Sequence, residues 1–268
     1  MSDSRAIGVF DSGLGGLTAV REMETLLPNE DVIYFGDTAR VPYGTKSKER
    51  IIEFSHQIMH FLLEHDVKAV IVACGTVSSN ALDELKAAYD LPIIGVVEPG
   101  VAEAVRLTKN RKIGVLGTAA TIRSGAFSRR LLEADPTLEV HSQACPLFVP
   151  LVENGWFDDP ISAQVVARYL APVKAAGVDT LILGCTHYPL LAGLIQQEMG
   201  EDVSLVNVSR QAVYEMKQYL AVHDMQAPEK DAPPVYAFYA SDSVSDFRSF
   251  SESILGLKHL DVEKITIC

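Results

Sequence analysis

Positive charge is in short supply: 23 lysines and arginines stand against 35 aspartates and glutamates, a formal net charge of −12. A nucleic-acid surface needs a basic patch, and none is present, so no nucleic-acid partner is expected. The same balance disfavours an anionic membrane. Long apolar runs are also missing: none approaches the roughly 18 residues of a membrane-spanning helix, and the opening MSDSRAIG lacks the basic and apolar parts of a secretion signal. A cytoplasmic location with no membrane partner is the expectation. Cysteine is sparse, with Cys74, Cys145, Cys185 and Cys268 dispersed and no Cys-x-x-Cys among them, which predicts free thiols and disfavours a redox dithiol. After Gly13 and Gly15 a dinucleotide fingerprint would need glycine where Thr18 stands, and the glycine-rich turn has no P-loop lysine. Low-complexity segments are absent as well.

What is present is an ordinary globular composition, 48% hydrophobic and 22% charged, in a chain long enough to bury a substantial core. The most informative stretch is TLILGCTHYPLL, Thr180 to Leu191. Leu181, Ile182 and Leu183 are apolar in succession, as in a parallel strand covered on both faces. Gly184 lets the chain turn, Pro189 suits the first turn of a following helix, and Cys185, Thr186 and His187 therefore lie at the carboxyl end of the strand. In open α/β sheets ligands bind there.

The device recurs. Lys68 to Ser79, KAVIVACGTVSS, is again an apolar run ending in a cysteine, 111 positions before Cys185. A second pair keeps a similar offset: Ile7-Gly8-Val9-Phe10 runs into Asp11-Ser12-Gly13, and Ile113-Gly114-Val115-Leu116 into Gly117-Thr118-Ala119. This repeat predicts an α/β fold of two similar domains with mainly parallel sheets, related by pseudo-twofold symmetry, with one cysteine from each facing a shared cleft. Strands are expected at 6–10, 32–35, 92–97, 112–116, 139–144, 204–207 and 236–239, and helices at 47–64, 80–89, from Pro99, 162–176, 208–222 and 243–255. The last strand and helix are expected to return to the first domain, giving residues 1–97 plus 208–268 and residues 98–207. Two crossings make a hinge that suits closure on a small ligand.

Other residues are weighed against plain structural roles. Gly13, Gly15 and Gly16 permit positive φ or close backbone approach, which would leave amides free for an anion. Asp11 beside that turn needs a partner. Asp37 and Arg40 either pair at the surface or meet a ligand. His56, His60 and His65 lack metal-ligand spacing; Cys145 reads as a buried small hydrophobe; Cys268 reads as incidental. Glu153, inside the apolar PLVENGW, either works or is paired.

A thiolate is both nucleophile and base, and a helix N-terminus or adjacent cation lowers its pKa. Both Cys74 and Cys185 are expected just ahead of helices. One sulfur can take a proton from one face of a carbon while the other returns one to the opposite face, inverting a small chiral molecule. Asp11 and His187 are candidates to hold or accept thiol protons. A Cys185–His187 nucleophile pair would leave Cys74 unexplained, zinc lacks ligands, and buried filler at both strand ends is the plain alternative.

IGVFDSGLGGLTAV, YFGDTARVPYG, VEPG, TLILGCTHYPLL and FYASDSVSDF together resemble the glutamate racemases, over nearly the full chain. That resemblance implies interconversion of L- and D-glutamate for peptidoglycan, Cys74 and Cys185 as the acid–base pair, no cofactor and in particular no pyridoxal phosphate, and a homodimer. It also implies that Asp11, Ser12, Pro42, Tyr43, Gly44, Thr76, Thr118, Thr121, Glu153, Thr186 and His187 surround the substrate. The chain departs from the family at one place, where the usual Cys-Asn-Thr is Cys74-Gly75-Thr76. The amide that holds the amino-acid end of the substrate is gone. Such a hydrogen bond to a charged group is worth about 1.5 to 3 kcal/mol, roughly one to two decades in rate or affinity. Racemisation of another amino acid, or a binding protein that keeps the cleft without turnover, are the alternatives this substitution raises.

Overall fold

The computed structural model describes residues 2–242, 244–256 and 261–267. Cys268, and Ser243 at the expected start of the last helix, lie outside these residues. Ten strands are described: β1 (Ile7–Asp11), β2 (Val32–Gly36), β3 (Ala69–Val72), β4 (Ile93–Gly95), β5 (Lys112–Gly117), β6 (Glu139–Ala144), β7 (Thr180–Leu183), β8 (Ser204–Asn207), β9 (Tyr236–Ala240) and β10 (Val262–Lys264). Among the described residues they form two parallel sheets, ordered β10-β9-β2-β1-β3-β4 and β6-β5-β7-β8. Every residue of β1, β3 and β7 is buried, because helices cover both faces and leave no side of the strand for water.

Aligning the sheets makes the repeat explicit: β4-β3-β1-β2 and β8-β7-β5-β6 have the same order and the same connections. In each, the chain runs outward from the first strand and then crosses back to its other side. The crevices where strand order reverses therefore fall between β1 and β3 and between β5 and β7, and ligands bind at such switch points. Asp11 and Cys74 belong to the first crevice, Thr118 and Cys185 to the second. β9 pairs with β2 from Val32↔Tyr236 to Gly36↔Ala240, which carries the chain back to the first sheet.

Local signals place most helices. Ser47 caps Lys48–Glu64 by accepting the Arg50 N–H. Asp159 accepts the Ile161 N–H ahead of Pro160–Ala175, with proline at the start of that helix, where a missing N–H costs nothing. The helix expected at 80–89 is Leu82–Ala88, and a further short helix, Gly75–Asn80, precedes it, so Cys74 leads straight into a helix. Helices Ala119–Ser124 and Ala126–Ala134 were not anticipated; they meet at Gly125, whose φ of +64° suits glycine. The apolar PLVENGW stretch contributes Phe148–Glu153 as a helix. β10 also escaped the sequence reading, since three residues with two exposed carry little apolar signal. Among the described residues no helix is long and apolar enough to cross a membrane.

Candidate active site

β1 ends in Asp11, which is 1% exposed. The turn that follows folds back on it: the Gly16 N–H donates to Asp11 Oδ2 at 3.0 Å, while the buried Oδ1 has no protein hydrogen-bond partner among the described residues. Gly13, Gly15 and Gly16 do not adopt positive φ; their value is close approach, and one amide expected to be free for an anion serves Asp11 instead. Next along, the Cys74 thiol lies 3.5 Å from Ser12 Oγ, to which it donates. Cys74 directly precedes a helix, yet its pKa is pushed up rather than down. Burial is the largest cause and the negative charge of Asp11 the next; the lowering by Ser12 and by the Val77 amide is smaller. The Cys74 sulfur therefore holds its proton at neutral pH.

The second crevice carries the opposite charge. Cys185 Sγ and His187 Nδ1 are 3.8 Å apart, and His187 Nε2 is 3.1 Å from Glu153 Oε1. Burial alone would lower the His187 pKa, but hydrogen bonds to Cys185 and Glu153 outweigh it and raise the value from 6.5 to about 10. An imidazolium thus stands beside Cys185, and Glu153, at the end of its apolar helix, is paired with it.

Loops from the two sheets meet closely here. Thr76 Oγ1 and Thr118 Oγ1 are 2.9 Å apart, and Thr118 Oγ1 is 3.0 Å from Thr121 Oγ1. A Cβ built on Gly44 would come within 3.0 Å of the Thr118 Cβ, and one on Gly15 within 2.4 Å of both His187 Nδ1 and Thr186 Oγ1. At Gly75 it would fall 2.1 Å from the Gly184 carbonyl oxygen and 3.5 Å from the Cys185 Cα. The residue after one cysteine therefore touches the main chain of the other. Cys74 is 4% and Cys185 6% exposed. Glu153 also lines a cavity of about 530 Å³ with Gly13, Leu14, Phe247 and Phe250, which neither cysteine reaches.

Other sequence candidates are placed differently. Asp37 and Arg40 do pair, at 2.6 Å, but Asp37 is fully buried rather than at the surface. It also accepts from the Tyr43 and Ser241 hydroxyls, and Arg40 sits 4.1 Å over the Phe54 ring. The Tyr43 phenol thus anchors its loop through Asp37, and Pro42 is exposed on the same loop, its carbonyl accepting the Thr45 hydroxyl. Cys145 is wholly buried, its thiol donating to the Gln143 carbonyl. His56 bonds the Tyr89 hydroxyl and His65 the Phe61 carbonyl. Sequence reasoning missed Thr18, whose hydroxyl meets the Gly15 and Thr186 carbonyls and Ser209 Oγ at 2.9 to 3.0 Å. Its signal was a lone hydroxyl among apolar neighbours in the first turn of Leu17–Leu26.

Known proteins resemble this chain in sequence and in shape. Residues 7–214 match the Asp/Glu/Hydantoin racemase family. The glutamate racemase of Geobacter metallireducens is 42% identical over 263 residues, 98% of this chain and 97% of that protein; that of Neisseria meningitidis serogroup A is 44% identical over 264, covering 98% and 97%. Among solved structures, a Bacillus anthracis glutamate racemase isoform superposes with a TM-score of 0.94 at 39% identity, covering 97% of each chain. The Francisella tularensis glutamate racemase in complex with D-glutamate gives 0.91 at 40% identity and 98% of each. The chain thus belongs to the Asp/Glu/hydantoin racemase family and, within it, groups with the glutamate racemases.

Proposed function

We propose that this enzyme interconverts L- and D-glutamate without a cofactor, Cys74 and Cys185 exchanging protons with opposite faces of the α-carbon. One observation carries the reading: two buried thiols at equivalent strand ends of two matching sheets, Cys74 against Ser12 and Cys185 against His187, on loops that meet at Gly75 and Gly184. In one direction the sulfur of Cys185, as thiolate, takes the α-proton; the C–H bond breaks, an S–H bond forms, and the electron pair delocalises into the α-carboxylate. Cys74 then delivers its proton to the opposite face. The reverse reaction exchanges these roles, and no net oxidation occurs.

The side chains around the thiols suit this chemistry. Protonated His187 offsets negative charge at Cys185, and Glu153 holds the imidazole in place. Asp11, whose charge is felt at Cys74 and whose buried Oδ1 has no partner among the described residues, would accept the Cys74 proton as roles change. Ser12, Thr76, Thr118, Thr121 and Thr186 supply donors for the substrate carboxylates and for charge developing in the transition state. The loop of Pro42, Tyr43 and Gly44 completes the enclosure. Glutamate is favoured over a bulkier amino acid because the space a side chain would take at Gly75 is filled by the Gly184 carbonyl. In the cell the product would be D-glutamate for peptidoglycan, made in the cytoplasm, by domains divided at about residues 97 and 208.

The test is circular dichroism of L-glutamate and, separately, D-glutamate incubated with the protein in deuterated buffer with nothing added. Both should lose optical activity as deuterium enters at the α-carbon. If both enantiomers stay unchanged and unlabelled, the proposal is wrong, and the same assay on other amino acids decides between a shifted substrate and a silent binder.

A further inference from the structure

Gly75 differs from the glycines that the backbone itself requires. Gly125, Gly155, Gly177, Gly200 and Gly256 have positive φ, and a Cβ added to any of them would meet open space. Gly75 is the reverse: it opens the helix Gly75–Asn80 without a positive φ, so any residue could adopt its conformation, but there is no room for a side chain. Its steric neighbour is a carbonyl on the other cysteine's own loop, 2.1 Å from the Cβ position. A side-chain clash is relieved by rotation; a carbonyl moves only with its chain.

We infer that Gly75 is a positioning residue for the two-thiol reaction: the missing side chain lets the Gly184 carbonyl seat against the Cys74 loop, and this backbone contact sets how close the two thiols come when the cleft closes. The inference rests on the two-thiol reading above. Relieving a 2.1 Å approach to at least 3.0 Å requires the Cys74–Gly75 and Gly184–Cys185 segments to part by about 1 Å. Misplacement of reacting groups by about 1 Å costs on the order of 100-fold in rate. The resemblance alone predicts the opposite, since asparagine at 75 would restore an amide that holds substrate and raise activity by about one to two decades.

Gly75→Ala and Gly75→Asn decide between these. Steady-state kinetics in both directions should show kcat down by about 100-fold, with KM changed far less, because the thiols and not the substrate-binding donors are misplaced. Alkylation of Cys74 and Cys185 by iodoacetamide, followed by mass spectrometry, should be faster in both variants than in the parent. Gly114→Ala is the control: its Cβ would meet the Leu181 and Val173 side chains at 2.5 and 2.7 Å, so it strains the core without parting the thiols and should alter neither kcat nor alkylation. Urea midpoints report folding, and the milder Gly75→Ala carries the test if Gly75→Asn is unfolded. Parental or higher kcat in a folded Gly75 variant, or alkylation no faster than parental, overturns the inference. A parent that does not racemise glutamate sinks the functional reading instead, and the alkylation rates still report whether Gly75 sets the closed contact.

Discussion

Burial works against a charged His187, yet its hydrogen bonds to Cys185 and Glu153 lift the pKa from 6.5 to about 10. A group with a raised folded-state pKa stabilises the fold fully below its unfolded value and loses that contribution as pH rises through the folded value. The urea midpoint of the parent should therefore exceed that of His187→Gln most at pH 6, with the gap narrowing steadily toward pH 10. A gap constant over that range would mean His187 is uncharged throughout. Glu153→Gln removes one of the groups that raise the pKa, so the alkaline limb of the kcat profile should move to lower pH. On the proposed reading the cysteines act as a pair on opposite faces. Replacing either with alanine should lower racemisation by about 100- to 10,000-fold, the usual contribution of a positioned acid–base group. Each single variant keeps one face: deuterium exchange with retention should persist for one enantiomer in Cys74→Ala and for the other in Cys185→Ala. Exchange of the same enantiomer in both would remove the two-face arrangement.

At the level of elements, each strand of the switch points hands a chemical group to a turn that must be satisfied locally. β8 shows how tightly this is done at the return to the first sheet. Asn207 ends the strand and caps the helix Val208–Val222, its side-chain oxygen accepting from the Ser209 and Arg210 N–H groups at 3.0 and 3.2 Å. Ser209 in turn meets Thr18, which meets the Thr186 carbonyl, so this cap is two hydrogen bonds away from the Cys185 loop. Asn207→Ala should cost about 0.5 to 2 kcal/mol of stability, the range for a lost N-cap, in denaturant titration, whereas Asn207→Ser, which keeps a capping oxygen without setting a second carboxylate beside Glu22, should recover most of it. Equal losses in both variants would show that the cap oxygen is not what matters.

Across the whole molecule, the proposed chemistry and the anchoring lie at opposite ends of the first sheet. The carboxyl ends of β1 and β3 hold Asp11 and Cys74; just before their amino ends, Lys68 is buried with Glu30 at 2.6 Å and donates to the Asp3 and Met225 carbonyls. The Ala227 N–H donates to the other oxygen of Glu30. This cluster joins the start of the chain, the β1–β2 connection and the segment leaving Val208–Val222. Lys68→Met leaves a buried carboxylate without its cation and should cost about 3 to 5 kcal/mol by urea unfolding, with kcat per folded molecule unchanged; pairing it with Glu30→Gln should restore part of the loss. A surface-sized effect below about 1 kcal/mol would deny the cluster that role. The apolar runs of β1, β3, β5 and β7, the cysteine repeat and the glycine turn were legible in the sequence because burial on both faces and turn chemistry leave local signatures. So were the strand-end positions of Cys74, Cys185, Asp11 and His187, the candidate reactive groups, since residue type and place along a strand are local facts. The pairing of Glu153 with His187, the reach of Thr18 to Thr186, the burial of Asp37 and the raised pKa of Cys74 depend on segments distant in sequence meeting in space, which no local pattern encodes. Gly75 marks the boundary: sequence showed that an amide was missing, but only the tertiary structure placed a carbonyl where its side chain would stand.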